Sequence, residues 1–243
     1  MCYWLIKLYI FRMCLVIGGL FLHLILPHHL TKYAFKLCLL GFGTFNTTES
    51  EFEEHNKKIL DNFYTNESKA VILFNHPSFL DTFIIPSFVD KNWLRPVAYG
   101  PYFGFPLNLF SNTFNPIYIP KNSKGVSTLI TNAILSRNTR EPFILIAPGG
   151  SDKNESQRVM SKFKYGAFIA KAPILPIVVR YTTNVDRWPI VCATMKRLCG
   201  LPVYFKVRVL DPIYPTEDES LDDLKNRVQV YMESVPDYSD LHF

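Results

Sequence analysis

Short apolar runs recur through residues 70–210, each bounded by proline, glycine, asparagine or charged residues. Residues 70–74 (Ala-Val-Ile-Leu-Phe) are brief, rich in branched side chains and closed by Asn75-His76-Pro77, the pattern of a buried strand. Residues 94–99, 116–119, 142–147 and 172–180 read the same way. Residues 203–210 instead alternate apolar and polar, with Lys206 and Arg208 on one face, as in a half-buried strand. Between these runs the apolar spacing becomes helical. Pro77 suits the first turn of a helix over 79–88. Ser123 is a candidate cap for a helix reaching Ser136, with Val126, Leu129, Ile130 and Ile134 on one face. Residues 163–171 and the amphipathic 221–234 read as further helices, and the aromatic-rich 102–110 as helical or interfacial. Residues 47–67 carry Glu49, Glu51, Glu53, Glu54, Lys57 and Lys58, and read as a solvent-facing helix leading into the core. Strands alternating with helices predict an α/β fold, with a mixed, largely parallel sheet flanked by helices.

Residues 3–26 break this rhythm. They are almost wholly apolar, interrupted by Lys7, Arg12 and His23, and roughly 20 such residues are needed to cross a hydrocarbon core. Pro27-His28-His29 ends the run, and a second, shorter one covers 33–45. The expectation is an N-terminal membrane helix pair, bent at Pro27, that dips into one leaflet or lies partly in the interface. Lys7, Arg12, Lys32 and Lys36 are placed to snorkel, and Tyr3, Trp4, Tyr9 and Tyr33 suit the interfacial belt. A cleaved signal peptide is the competing reading, but no small-x-small site follows the apolar core. The chain accordingly divides into an anchoring segment, 1–46, and a globular domain, 47–243.

Composition narrows the classes. The 243 residues are 48% hydrophobic and 15% aromatic, rich for a soluble domain, with a mean hydropathy of +0.07. A net charge of +5 permits attraction to anionic lipid or phosphate. Aromatic and basic residues do not interleave as on a nucleic-acid surface, so no nucleic-acid partner is expected. The 5 cysteines form no Cys-x-x-Cys pair, which argues against a disulfide scaffold and a metal site.

The candidate chemistry sits where the strand over 70–74 leaves the core. His76 and Asp81 span the strand-to-helix turn. A carboxylate there accepts from one imidazole nitrogen and leaves the other to take a proton. The plainer alternative is a surface histidine beside a helix start, with Asp81 favouring the helix dipole; spacing alone does not separate the two. Ser78 lacks the Gly-x-Ser-x-Gly surroundings of a nucleophile elbow. Further along stand Asn115-Pro-Ile-Tyr-Ile-Pro-Lys121, Ala147-Pro-Gly-Gly-Ser-Asp-Lys153, Phe163-Lys-Tyr-Gly-Ala-Phe168 and Ala172-Pro-Ile-Leu-Pro-Ile-Val179. The paired glycines allow close backbone approach to a ligand, and their amides suit an anion or oxyanion.

Taken in order, these blocks resemble the glycerolipid acyltransferases, over roughly residues 70–219. Asn75-His76 with Asp81 is similar to that family's first motif. Lys121 stands where the family usually has arginine, keeping charge but losing the bidentate fork. Gly149 replaces a usual glutamate, and Asp152 with Lys153 the following arginine. The resemblance implies acyl transfer from acyl-CoA, a co-substrate rather than a bound cofactor, to the hydroxyl of a lysophospholipid. It implies His76 as general base and Asp81 as its partner. Asn75, Lys121, Gly149, Gly150, Ser151, Lys153, Lys164 and Pro176 are then the substrate-binding candidates, with no metal. It also implies an endoplasmic-reticulum-type or cell inner membrane, with the site facing the cytosol. Three alternatives remain open: a neutral-lipid acyltransferase of the same fold, for which the lost glutamate and arginine matter less, a non-catalytic lipid-binding relative, and a membrane-anchored scaffold in which the blocks are structural.

Overall fold

The computed structural model describes residues 2–27, 30–67, 69–76, 78, 80–89, 94–99, 115–119, 125–138, 141–147, 166–181 and 202–235. Its strands are β1 (Thr44–Asn46), β2 (Val71–Phe74), β3 (Leu94–Tyr99), β4 (Ile117–Ile119), β5 (Phe143–Ile146), β6 (Ile174–Tyr181) and β7 (Val203–Val209). They form one sheet in the order β1-β7-β6-β2-β5-β3-β4. All neighbours run parallel except β6 and β7. The expected mixed, largely parallel sheet is present.

The four residues of β2 are all buried, and their pleat divides the core in two. Ile72 and Phe74 join Phe35, Leu39 and Phe42, Ile59, Leu60 and Phe63, and Phe83 and Ile84 on one face. Val71 and Leu73 join Ile130, Ile134, Phe168, Leu224 and Val228 on the other. Alternate residues of a strand point to opposite faces, so a continuous apolar run is what a doubly covered strand requires. The first face is covered by α2 (Thr31–Gly41), α3 (Ser50–Asn66) and α4 (Asp81–Phe88), after α1 (Cys2–Ile25). The second is covered by α5 (Val126–Leu135), α6 (Gly166–Ile169) and α7 (Leu221–Glu233).

Several elements differ from expectation. The helix α3 is amphipathic rather than wholly solvent-facing. Its glutamates and lysines point outward, while Asn56, Ile59, Leu60 and Phe63 are buried. Asn56 donates to Val207 O at 3.0 Å and accepts from Val209 N at 2.8 Å, continuing the outer edge of β7 past the end of β1. The strand β1 itself was hidden inside the apolar run over 33–45. The helix α2 stops at Gly41, and the chain turns through Gly43, φ +64°, into three strand residues paired with β7. The helix α5 begins at Val126 behind Gly125; Ser123, its expected cap, lies outside the described residues, as do residues 102–110.

Among the described helices only α1 is long and apolar enough to cross a membrane, over Ile6–Ile25 with a mean hydropathy of 2.0. Trp4, Ile6, Ile10, Phe11, Ile17, Phe21, Leu24 and Ile25 are exposed on it. Its inner side meets α2 closely: a Cβ on Gly19 would lie 2.6 Å from Cys38 Sγ and 2.7 Å from Ala34 O. α2 is only 11 residues long, and its buried side packs against α4, where the Phe42 and Phe83 rings meet at 5.2 Å. Cys38, on the side of α2 that faces α1, has its thiol pushed by burial up to about 12, so it stays neutral at ordinary pH.

The Phe-Lys-Tyr-Gly-Ala-Phe block acquires a packing reason. α6 starts at Gly166, where a Cβ would stand 2.5 Å from Ser127 O of α5 and 2.7 Å from Ile130 Cβ. Thr131 Oγ1 donates to Gly166 O at 3.1 Å across the same contact. Gly166→Ala is expected to force α5 and α6 apart and destabilise the fold by about 1–3 kcal/mol, read as a lowered denaturant midpoint at unchanged slope.

Candidate active site

The carboxyl ends of β2, β5, β3, β4 and β6 point to one edge of the sheet, the edge where α/β proteins hold their ligands. At this edge β2 gives way to Asn75 and His76, and α4 starts at Asp81. The His76 side chain is 22% exposed and that of Asp81 is fully buried. Their Nδ1 and Oδ2 atoms are 3.0 Å apart. An ionised carboxylate only accepts, so with Asp81 ionised this contact puts the hydrogen on Nδ1 and leaves Nε2 as the basic nitrogen. Phe74 presents its ring edge-on to the imidazole at 5.7 Å, limiting the ring's freedom from the core side.

A buried charge is tolerated only when it is paired and hydrogen-bonded, and among the described residues Asp81 has three donors. Oδ2 accepts from His76 Nδ1 and from the Ser78 backbone N–H at 3.0 Å. Oδ1 accepts from Tyr181 Oη, at the end of β6. The Ser78 hydroxyl is used locally: buried, it accepts from Leu80 N at 3.2 Å ahead of α4. That arrangement opposes a nucleophilic serine. Ser78→Ala keeps the backbone donor to Asp81, and is expected to cost about 1 kcal/mol of stability as a lost helix-end bond while turnover stays within a few-fold, measured by steady-state assay.

Of the residues expected to bind substrate, Asn75 and Pro176 are described. The Asn75 amide is taken up by the main chain of β6: Nδ2 donates to Val179 O at 2.8 Å and Oδ1 accepts from Val179 N at 2.7 Å. It extends the β2–β6 ladder beyond the strand. Pro176 is buried in β6 opposite Leu73, and its carbonyl accepts from Leu210 N at 2.9 Å. Both shape the sheet beneath the dyad. Lys121, Gly149, Gly150, Ser151, Lys153 and Lys164 lie outside the described residues. Lys206 and Arg208 do share a face of β7, and both turn to Glu49, at 2.5 Å and 3.7 Å. The bond from Lys206 holds the Glu49 carboxyl below its usual range. Among the described residues, no group of three or more His, Cys, Asp or Glu side chains is arranged to hold a metal ion.

Tyr181 is a site residue that the sequence pattern does not mark. It lies 100 positions from Asp81, just past the apolar run over 172–180, and no local pattern gives that run's pairing with β2.

Fold and site together define a class: an α/β protein with an imidazole–carboxylate pair at the strand ends. The Acyltransferase family model matches residues 51–180, more than half of the chain, and the chain belongs to that family. It is 27% identical over 175 residues to the lysophospholipid acyltransferase LPEAT1 of Arabidopsis thaliana, a match covering 64% of this chain and 41% of that protein. The chain thus spans well under half the length of this curated relative. It shares its fold with PlsC, the 1-acyl-sn-glycerophosphate (LPA) acyltransferase of Thermotoga maritima, at a TM-score of 0.54 and 15% identity, covering 98% of this chain and 95% of that one.

Proposed function

We propose that this protein transfers a fatty acyl group from acyl-CoA to the free hydroxyl of a lysophospholipid, with His76 as general base. The observation that carries the reading is the 3.0 Å contact between His76 Nδ1 and the buried Asp81 carboxylate, which directs Nε2 to the acceptor. His76 takes the hydroxyl proton as the oxygen attacks the thioester carbonyl. The tetrahedral adduct collapses, the carbon–sulfur bond breaks, and the departing thiolate receives the proton from the imidazolium. The products are an ester and free CoA thiol, with no acyl-enzyme and no metal in the route. On the family resemblance, the amides of Gly149, Gly150 and Ser151 serve the carbonyl oxygen or a phosphate. On the same ground, Lys121, Lys153 and Lys164 serve the headgroup.

Both substrates carry chains that partition into lipid, and α1 supports a membrane-bound enzyme through its length and its exposed apolar side. The lysophospholipid acceptor is supported by the plant relative, a lysophospholipid acyltransferase.

The test is thiol release from oleoyl-CoA by detergent-purified protein. The acceptor panel is glycerol-3-phosphate, lysophosphatidic acid, lysophosphatidylcholine, other lysolipids and diacylglycerol. Release dependent on a lysolipid is expected. Release with diacylglycerol alone transfers the reading to a neutral-lipid enzyme, and release without acceptor to a thioesterase. A folded protein silent with every pair would refute catalysis with this donor.

A further inference from the structure

The end of β6 touches the catalytic turn twice. The first touch is the pair of bonds between the Asn75 amide and both main-chain groups of Val179, at 2.8 Å and 2.7 Å. The second comes two residues later, where Tyr181 Oη donates to Asp81 Oδ1. The tyrosine ring is itself held from the neighbouring strand, with the Phe205 ring of β7 at 6.4 Å and tilted 51°. Asp81 is fully buried, so its orientation is set by protein donors rather than by water. Ser78 N and His76 Nδ1 share Oδ2, and Tyr181 holds the opposite oxygen.

We propose that Tyr181 is a positioning residue for the reaction: its hydroxyl fixes the rotation of the Asp81 carboxylate, and through it the tautomer and aim of His76. This rests on the acyl-transfer reading for its catalytic consequence, though not for its structural part. Without the tyrosine hydroxyl, Oδ1 loses its donor across the sheet, the carboxylate is free to turn, and Oδ2 no longer commits to Nδ1. Carboxylate-held imidazoles depend on such outer partners for their orientation. Asn75 serves the same end by keeping β6 in register with the turn, so that Tyr181 arrives opposite Asp81.

Tyr181→Phe is the decisive variant, because it keeps the ring against Phe205 and removes only the hydroxyl. Two readouts are taken: steady-state kinetics with the best acceptor, and the imidazole nitrogen shifts of His76 in protein labelled with nitrogen-15 histidine, assigned with His76→Asn. In the wild type, the His76 ring is expected as one tautomer, protonated at Nδ1; a mixture there overturns the proposal without any variant. In Tyr181→Phe, kcat is expected to fall about ten- to a hundredfold, the loss that follows from one hydrogen bond to a charged group. KM for both substrates is expected to hold while the His76 signals report mixed tautomers. An unchanged kcat, or a lowered kcat with the tautomer intact, overturns it. If the wild type transfers no acyl group to any acceptor, the acyl-transfer reading fails separately. The nitrogen shifts of the variant then still decide whether Tyr181 sets the pair: a mixture supports that part and an unchanged signal refutes it.

Discussion

His76→Ala is expected to remove acyl transfer by about 10²–10⁴-fold in kcat, the range that a positioned general base contributes. The side chain is the partly open member of the pair, 22% exposed against a fully buried Asp81. Its removal leaves the apolar core around β2 and α4 intact and Asp81 with the donors Ser78 N and Tyr181 Oη, so the larger effect should fall on turnover rather than on folding. What is lost is the proton acceptor: a lipid hydroxyl is a poor nucleophile until its proton is drawn off as it attacks. Thiol release from oleoyl-CoA, with the best acceptor and at matched protein stability, is the measurement. A variant retaining more than a tenth of wild-type kcat would remove His76 from the base role and direct attention to another group at the same sheet edge.

Asp81→Asn is expected to cost a comparable ~10²–10⁴-fold, for a different reason. Asparagine fills the same buried volume, but it brings an amide donor where the carboxylate has only acceptors. Donors converge on this side chain from His76 Nδ1, Ser78 N and Tyr181 Oη. An NH₂ group placed toward His76 favours the tautomer protonated at Nε2, so the nitrogen meant to take the proton already holds one. An NH₂ group turned toward Tyr181 instead opposes a hydroxyl that is placed to donate. The variant should bind acceptor with little change in KM and turn over slowly. Parallel thermal melts separate this from unfolding, since a buried polar mismatch also costs stability, about 1–3 kcal/mol. Wild-type turnover in Asp81→Asn would mean that the carboxylate serves the helix start alone, the plainer reading that spacing left open.

The strands were legible along the chain wherever an apolar run is closed by a breaker. Residues 94–99 match β3 residue for residue, and 70–74 and 142–147 overshoot β2 and β5 by only a residue or two. Full burial on two faces demands continuous apolarity, and Asn-His-Pro or Pro-Gly-Gly cannot continue a buried strand. The amphipathic α7 was equally plain, its Ser220 capping Asp223 N at 3.1 Å, because helical spacing and a cap are local properties. β1 was not legible: three residues at the end of a longer apolar run carry no period of their own, and they become a strand only because β7 offers an edge.

The candidate site divides along the same line. His76 and Asp81 stood out because five residues across a strand-to-helix turn is a local geometry. Asn75 also stood out, but as a substrate-binding candidate, whereas its amide meets Val179, 104 positions away. Tyr181 drew no attention as a partner of Asp81 at all. Periodicity along a chain encodes which residues are buried and in what local conformation. It does not encode which strands become neighbours, because pairing is set by the packing of the whole sheet. The local sequence therefore carried the imidazole–carboxylate pair and the strand that bears it. The placement of β6 against β2, and with it the partners that orient the pair, came only with the assembled sheet.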